Sequence, residues 1–111
     1  MPKRTRDYKE SLTKALRDPK EAAAYLNAHL EEQGREDAEE LFLMALRDVA
    51  TAYGVGELAE EADLGRESLY KALSQSGNPK LSTLVSLLNA MGLKLSVDVQ
   101  QAKATGTHGK R

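Results

Sequence analysis

The hydrophobic positions of this chain recur every three to four residues along most of its length, and every second residue only near the end. Leu12, Ala15 and Leu16 mark an apolar stripe over residues 8–17. Ala22, Leu26 and Leu30 mark another over residues 19–33, with Tyr25 and His29 beside them. Both stripes have the 3.6-residue period of a helix that buries one face. Asp18-Pro19 separates them: the aspartate can accept from free backbone N–H groups as an N-cap, and proline suits the first helical position. Gly34 supplies the stop, because a helix C-terminus favours a residue free to turn left-handed.

Residues 37–53 predict a third helix, with Phe42, Ala45, Leu46, Val49 and Tyr53 in one stripe and acids crowded into the first turn, where they complement the positive end of the helix dipole. Gly54 and Gly56 bracket Val55 and allow a sharp reorientation into a short helix over residues 57–62. Asp63-Leu64-Gly65 reads as a turn, and residues 66–73 as a second short helix. Residues 75–80, QSGNPK, form a loop by composition. Ser82 caps a last helix carrying Leu84, Leu87, Leu88 and Met91, and Gly92 ends it.

In residues 93–99, LKLSVDV, Leu93, Leu95, Val97 and Val99 alternate with Lys94, Ser96 and Asp98. Period two predicts one β-strand, and a lone strand needs a partner from its own chain, a symmetry mate or another protein. The tail, residues 100–111, has the polar and glycine-rich composition of a disordered segment. The expected architecture is all-α: one helical domain over residues 1–99 with an N-terminal helical extension (8–33), a central pair of short helices (55–76) and one short C-terminal β-strand (93–99).

Composition fits that picture. The chain has 111 residues, enough for one small domain, and is 41% hydrophobic but only 5% aromatic with no tryptophan. Its core must be built from Leu, Ala and Val, which suits packed helices. The absence of cysteine removes disulfides, thiolate nucleophiles and cysteine-based metal sites from consideration. The first ten residues, MPKRTRDYKE, are charged where a signal peptide needs an apolar core, and no stretch approaches the ~20 apolar residues of a membrane span. A soluble, cytoplasmic protein with no membrane partner is expected.

Charge changes the picture more. The formal net charge is −1, which does not announce a nucleic-acid partner. Its distribution is uneven. Between residues 36 and 63 the acids are Glu36, Asp37, Glu39, Glu40, Asp48, Glu57, Glu60, Glu61 and Asp63, against Arg47 alone. Between residues 66 and 80 the bases are Arg66, Lys71 and Lys80, against Glu67 alone. The sign reverses at the second short helix.

Residues 55–76, VGELAEEADLGRESLYKALSQS, supply what a helix-turn-helix requires: a small residue where the helices approach, inward apolar residues on both, and a residue that bends sharply between them. Ala59 stands at the close approach, Leu58 and Ala62 face inward, and Leu64, Leu69 and Ala72 or Leu73 complete the shared core. The spacing resembles the helix-turn-helix of Cro-like phage repressors. It departs from that pattern at Asp63, where a turn glycine is usual, and at Gly65, where a Ser or Thr cap is common. Asp tolerates the left-handed conformation and Gly is an acceptable cap.

Wider segments narrow the resemblance. DPKEAAAYLNAHLEE, LFLMALRDVATAYG, ESLYKALSQSGNPKLSTLV and MGLKLSV are similar to the addiction-module antidote proteins, relatives of the HigA-type antitoxins, over about residues 18–97. That resemblance implies an antitoxin that neutralises a RelE/HigB-like, mRNA-cleaving toxin by direct binding and represses its own operon. It needs no cofactor and no metal.

In the repressor pattern the base-reading positions open the second helix and recur one turn later. Here they are Arg66, Glu67 and Lys71, with Ser68 and Tyr70 nearby. Arg can give two hydrogen bonds to guanine O6 and N7, Glu can accept from cytosine N4, and Lys reaches guanine or phosphate. Phosphate contacts are expected at Gly56 and at Ser74, Ser76, Asn78 and Lys80, where backbone N–H groups and short polar side chains fix register without reading sequence. A plain solvated helix face and an ordinary polar loop are the blander readings of these residues. One small domain covers a half-site, so a homodimer on a pseudo-palindromic operator in double-stranded DNA is expected.

Other polar clusters carry less. Adjacent helix residues do not face each other, so Glu31/Glu32, Glu39/Glu40 and Glu60/Glu61 read as solvated surface rather than catalytic pairs, and no enzymatic constellation stands out. His29 with Glu32 or Gln33 has metal-ligand spacing, but a partly buried histidine is the simpler reading. The acidic block from Glu36 to Glu61 is either solubilising surface or the side that meets a basic, RNA-binding toxin. Two rival readings remain: a phage-type or metabolic regulator without a toxin, and an adaptor whose helix-turn-helix binds protein.

Overall fold

Asp18 sets the first corner of the molecule. In the computed structural model, which describes residues 2–31, 37–74 and 77–99, its Oδ1 accepts from the Lys20 N–H at 3.0 Å, and Pro19 opens the helix behind it. This cap separates α1 (Pro2–Leu16) from α2 (Pro19–Leu30). α1 begins well before the expected residue 8, because Pro2 is suited to a first turn and the Lys- and Arg-rich stretch after it contains no helix breaker. α2 ends at Leu30 with Glu31 as its C-cap, short of the expected residue 33, while Gly34 itself lies outside the described residues.

α3 (Ala38–Tyr53) is the longest helix, and its backbone approaches α1, α2 and α4. That central position explains a departure from the single stripe. Ala45, Leu46 and Val49 are buried as expected, but so are Ala50 and Ala52, while Phe42 and Tyr53 are only half-buried. Alanine at 50 and 52 lets neighbouring helices come close on more than one side. Arg17, at the end of α1, donates from Nε to the Ala52 carbonyl at 3.3 Å and ties the two helices together. Tyr25 on α2 does the same in the middle of α3, its hydroxyl donating to Asp48 Oδ2 at 2.8 Å.

Gly54 joins two helices in a single residue. Its N–H donates to the Ala50 carbonyl at 2.9 Å and closes α3, while its carbonyl accepts from the Leu58 N–H at 2.8 Å and opens α4 (Val55–Glu61). The backbone there has φ of 114°, which only glycine adopts without strain. α4 is short and central to the second half of the molecule: Leu58 and Ala59 are buried, and its backbone approaches α3, α5 and α6.

The turn after α4 is closed by two hydrogen bonds, Asp63 N–H to the Glu60 carbonyl at 3.2 Å and Leu64 N–H to the Ala59 carbonyl at 2.8 Å. This is a Schellman arrangement with its left-handed residue at Asp63, φ 59°. Leu64 packs against the core beyond it. α5 (Arg66–Ala72) follows, capped by Gly65 in an extended conformation. A second Schellman closure ends α6 (Leu81–Ala90): Leu93 N–H reaches the Leu88 carbonyl at 2.7 Å, Gly92 N–H reaches the Asn89 carbonyl at 3.0 Å, and Gly92 has φ of 81°.

Two expectations are corrected. α6 is capped by Lys80 in an extended conformation, with no side-chain hydrogen bond at the cap, so Ser82 lies inside the first turn rather than before it. Residues 93–99 form no strand. Every regular element among the described residues is a helix, so the segment has no sheet edge to pair with; Leu93 is half-buried against the core, and Leu95, Val97 and Val99 are exposed by 47, 94 and 93%. The expected tail, residues 100–111, lies outside the described residues.

The hydrophobic core draws on all six helices, from Leu16 and Leu26 through Leu46, Leu58 and Leu69 to Leu87 and Met91. Among the described residues no polar side chain is buried, and no helix is long and apolar enough to cross a membrane. The all-α expectation holds.

Candidate nucleic-acid interface

α5 is anchored by few side chains. Leu69 and, just past the helix, Leu73 are buried, at 0 and 3% exposure, and Ala72 is half-buried between them. The remaining positions, Arg66, Glu67, Ser68, Tyr70 and Lys71, are all exposed. Among the described residues, only α4 of the helices comes close to the α5 backbone, so the outer surface of α5 is left uncovered by them. The five residues expected to read bases therefore share one short, presented helix. An exposed tyrosine, 59% open to solvent, is the one large apolar group among them.

Arg66 is not extended into solvent. Its guanidinium lies over Gly56 at the start of α4, so close that a β-carbon built on that glycine would stand 2.5 Å from one terminal nitrogen. The lack of a side chain at position 56 makes room for this contact. Periodicity gave no sign of it, because it links two residues across the turn rather than along one helix. Gly56 is also an expected phosphate contact, so an expected base reader and an expected backbone contact are neighbours in space.

The other phosphate candidates are less alike. Ser74 is half-buried and its Oγ donates to the Lys71 carbonyl at 2.8 Å, closing the end of α5; the hydroxyl hydrogen a phosphate would need is engaged there. Asn78 and Lys80 are exposed at the approach to α6, and Ser76 lies outside the described residues. Gly77 draws the loop against the end of α5: its N–H donates to the Ser74 carbonyl at 2.9 Å, and a β-carbon there would lie 2.3 Å from the Ala72 carbonyl oxygen.

The acids of α4 are partly turned away from α5. Tyr53, at the end of α3, donates a hydrogen bond to Glu61, which holds the tyrosine proton more tightly than usual. The Glu57 carboxylate lies beside Gly54, where a β-carbon would meet its Oε1 at 3.2 Å. Glu57 and Glu61, one helical turn apart, thus face the α3 junction, which also carries Arg17, Thr51 and Ala52 along a shallow depression.

His29 is a packing residue in this geometry. It is half-buried, its Nδ1 is 2.8 Å from the Tyr25 carbonyl, and its ring meets that of Tyr25 edge-on at 4.7 Å. Among the described residues no three acidic or histidine side chains converge on a point where a metal could sit. Glu31, Glu39, Glu40, Glu60 and Glu61 are exposed.

Comparison with known proteins covers most of the chain. A family model described as "probable addiction module antidote protein" matches residues 7–99. An uncharacterized protein of Haemophilus influenzae is 40% identical over 82 residues, which is 74% of this chain and 80% of that protein. No solved structure matches.

Proposed function

The chain belongs to the family of probable addiction module antidote proteins, and from that premise we propose that it is the DNA-binding antitoxin of a type II toxin–antitoxin module, which neutralises a RelE/HigB-like toxin by direct binding and represses its own operon. The family implies the antidote role and a cognate toxin partner. The DNA-binding part rests on one observation: α4, its turn and α5 leave Arg66, Glu67, Ser68, Tyr70 and Lys71 exposed together on a helix held from behind by Leu69 and Leu73. We read α4 and α5 as a helix-turn-helix with α5 entering the major groove. Arg66 then swings off Gly56 to give two hydrogen bonds to a guanine, Glu67 accepts from a cytosine, and Lys71 reaches guanine or phosphate. Gly56, Asn78 and Lys80 fix the register on the backbone. A homodimer places two such helices on a pseudo-palindromic operator, in the cytoplasm.

The test is a titration of the chain's own promoter DNA at stated salt. Arg66→Ala costs about 1–3 kcal/mol on the cognate site and relaxes specificity at one base pair. Affinity unchanged by that substitution overturns the assignment of α5. For the toxin, the exposed acids at the start of α3, Glu39 and Glu40, are the proposed contact with a basic partner. Toxin binding that ignores both salt and charge reversal at these two residues overturns that contact.

A further inference from the structure

Past Leu93 the chain leaves the core, and residues 94–99 are exposed. Leu93 closes α6 and packs against the core, but from Lys94 to Val99 the backbone makes no hydrogen bond to any described residue, and all six side chains are exposed. Val97 and Val99, at 94 and 93% exposure, are the most open large apolar residues of the described chain. An alternating segment with free backbone N–H and C=O groups on both edges is a template for another strand.

The sequence of the segment selects its partner. In an antiparallel pair, residues directly opposite share a face, so the pattern across the pair must match apolar with apolar and charge with opposite charge. We infer that residues 93–99 pair antiparallel with the same segment of a second copy of this chain, with the two-fold axis through Ser96. In that register Lys94 of each copy faces Asp98 of the other, Leu95 faces Val97, Leu93 faces Val99, and Ser96 faces itself. All four apolar positions of both copies then lie on one face, and both charges find opposite partners twice. Centring the pair on Leu95 or Val97 keeps the apolar face but sets Lys94 across from Ser96 or Gln100 and leaves both charge pairs unmade. A register shifted by a single residue mixes Leu and Val with Lys and Asp on each face, and a parallel in-register pair sets lysine against lysine. A two-stranded ribbon is marginal alone, but here each strand is held to a folded domain through Leu93.

This deepens the homodimer reading above and rests on it. The test is sedimentation equilibrium of the full chain without DNA, so that failure to bind an operator cannot be mistaken for failure to pair. K94E and D98K each place like charges opposite one another at two points, and each raises the dimer dissociation constant on the order of tenfold. An equimolar mixture of the two restores wild-type association, because the heterodimer regains both opposite-charge pairs; high salt shrinks the difference. Because the chain has no cysteine, S96C adds a single thiol on the axis. Directly opposite residues have Cα atoms ~4.5–5.5 Å apart, within reach of a disulfide, so S96C cross-links to itself under mild oxidant. K94C does not, but links to D98C when those chains are mixed. Circular dichroism keeps misfolded variants out of the comparison. A wild-type dimer indifferent to these charges, with no S96C cross-link, overturns the ribbon and leaves the dimer reading intact. A wild-type monomer at tens of micromolar, about the range of a weak complex, overturns both and leaves the segment for a different partner.

Discussion

The guanidinium of Arg66 rests on the bare backbone of Gly56, one residue at the start of each of the two short helices. A β-carbon at position 56 would meet the far end of a flexible side chain, which can move, rather than backbone, which cannot. Gly56→Ala is therefore expected to displace the arginine while leaving unfolding free energy within about 1 kcal/mol of wild type, since alanine also has the better helix propensity. Denaturant titration measures the stability. A loss well beyond that figure would mean the arginine contact holds α4 and α5 together.

Gly77 presents the opposite case. A β-carbon there would stand 2.3 Å from the Ala72 carbonyl oxygen and 2.7 Å from that of Lys71, and neither backbone group can yield without disturbing the end of α5. Gly77→Ala is expected to lower stability by about 1–3 kcal/mol, the usual range for overpacking. Comparing urea midpoints of the two glycine variants tests both at once, because the substitution is the same and only the neighbour differs.

Asp63 holds a left-handed backbone at φ 59°, the one non-glycine residue of the described chain to do so. An L-residue with a side chain is strained there, and glycine is not. Asp63→Gly is expected to stabilise the fold by up to about 1 kcal/mol, and Asp63→Val to destabilise it by about 1–2 kcal/mol. Thermal melts of the pair show whether the turn between α4 and α5 is the strained point.

Tyr25 links α2 to α3 and carries the pH dependence of that contact. Burial, followed by the hydrogen bond to Asp48 and the charge of that carboxylate, pushes its hydroxyl well above the ordinary value of 10.0. Because the folded-state value is the higher one, the stabilisation is complete below pH 10, the ordinary value, and is lost as pH rises above it. Tyr25→Phe is expected to cost about 1.5–3 kcal/mol at neutral pH, as for a hydrogen bond to a charged group. The variant should also lose less stability than wild type between neutral pH and pH 11, about one unit past the ordinary tyrosine value, in urea titrations across that range.

What the sequence made legible was mostly local. Asp18-Pro19 marks the start of α2 because cap and first-turn residues act on their nearest neighbours. Asp63 marks the turn because few residues accept its backbone conformation. Leu58, Ala59, Leu69 and Leu73 fall inward as spacing requires. What stayed hidden depends on groups brought together from elsewhere. The burial of Ala50 and Ala52 follows from α3 being packed by three other helices, and the resting place of Arg66 follows from an empty position ten residues earlier. The hydroxyl of Ser74 is engaged by the helix it ends. Residues 93–99 have a strand's alternation, but a strand is a property of two segments, and the other described segments are helices and turns.

The short α4 has a consequence for how the molecule opens. Among the helices, α5 and α6 approach only α4, and α4 continues from α3 through Gly54 alone. Fluctuations that loosen α4 release α5 and α6 together while α1, α2 and α3 keep their mutual contacts. Amide protons of α5 are thus expected to exchange with solvent through a partial opening smaller than global unfolding, and those in the middle of α3 only when the whole structure comes apart, as native-state hydrogen exchange would show. The helix proposed for DNA recognition is then expected to lie on a part of the fold that opens before the whole comes apart.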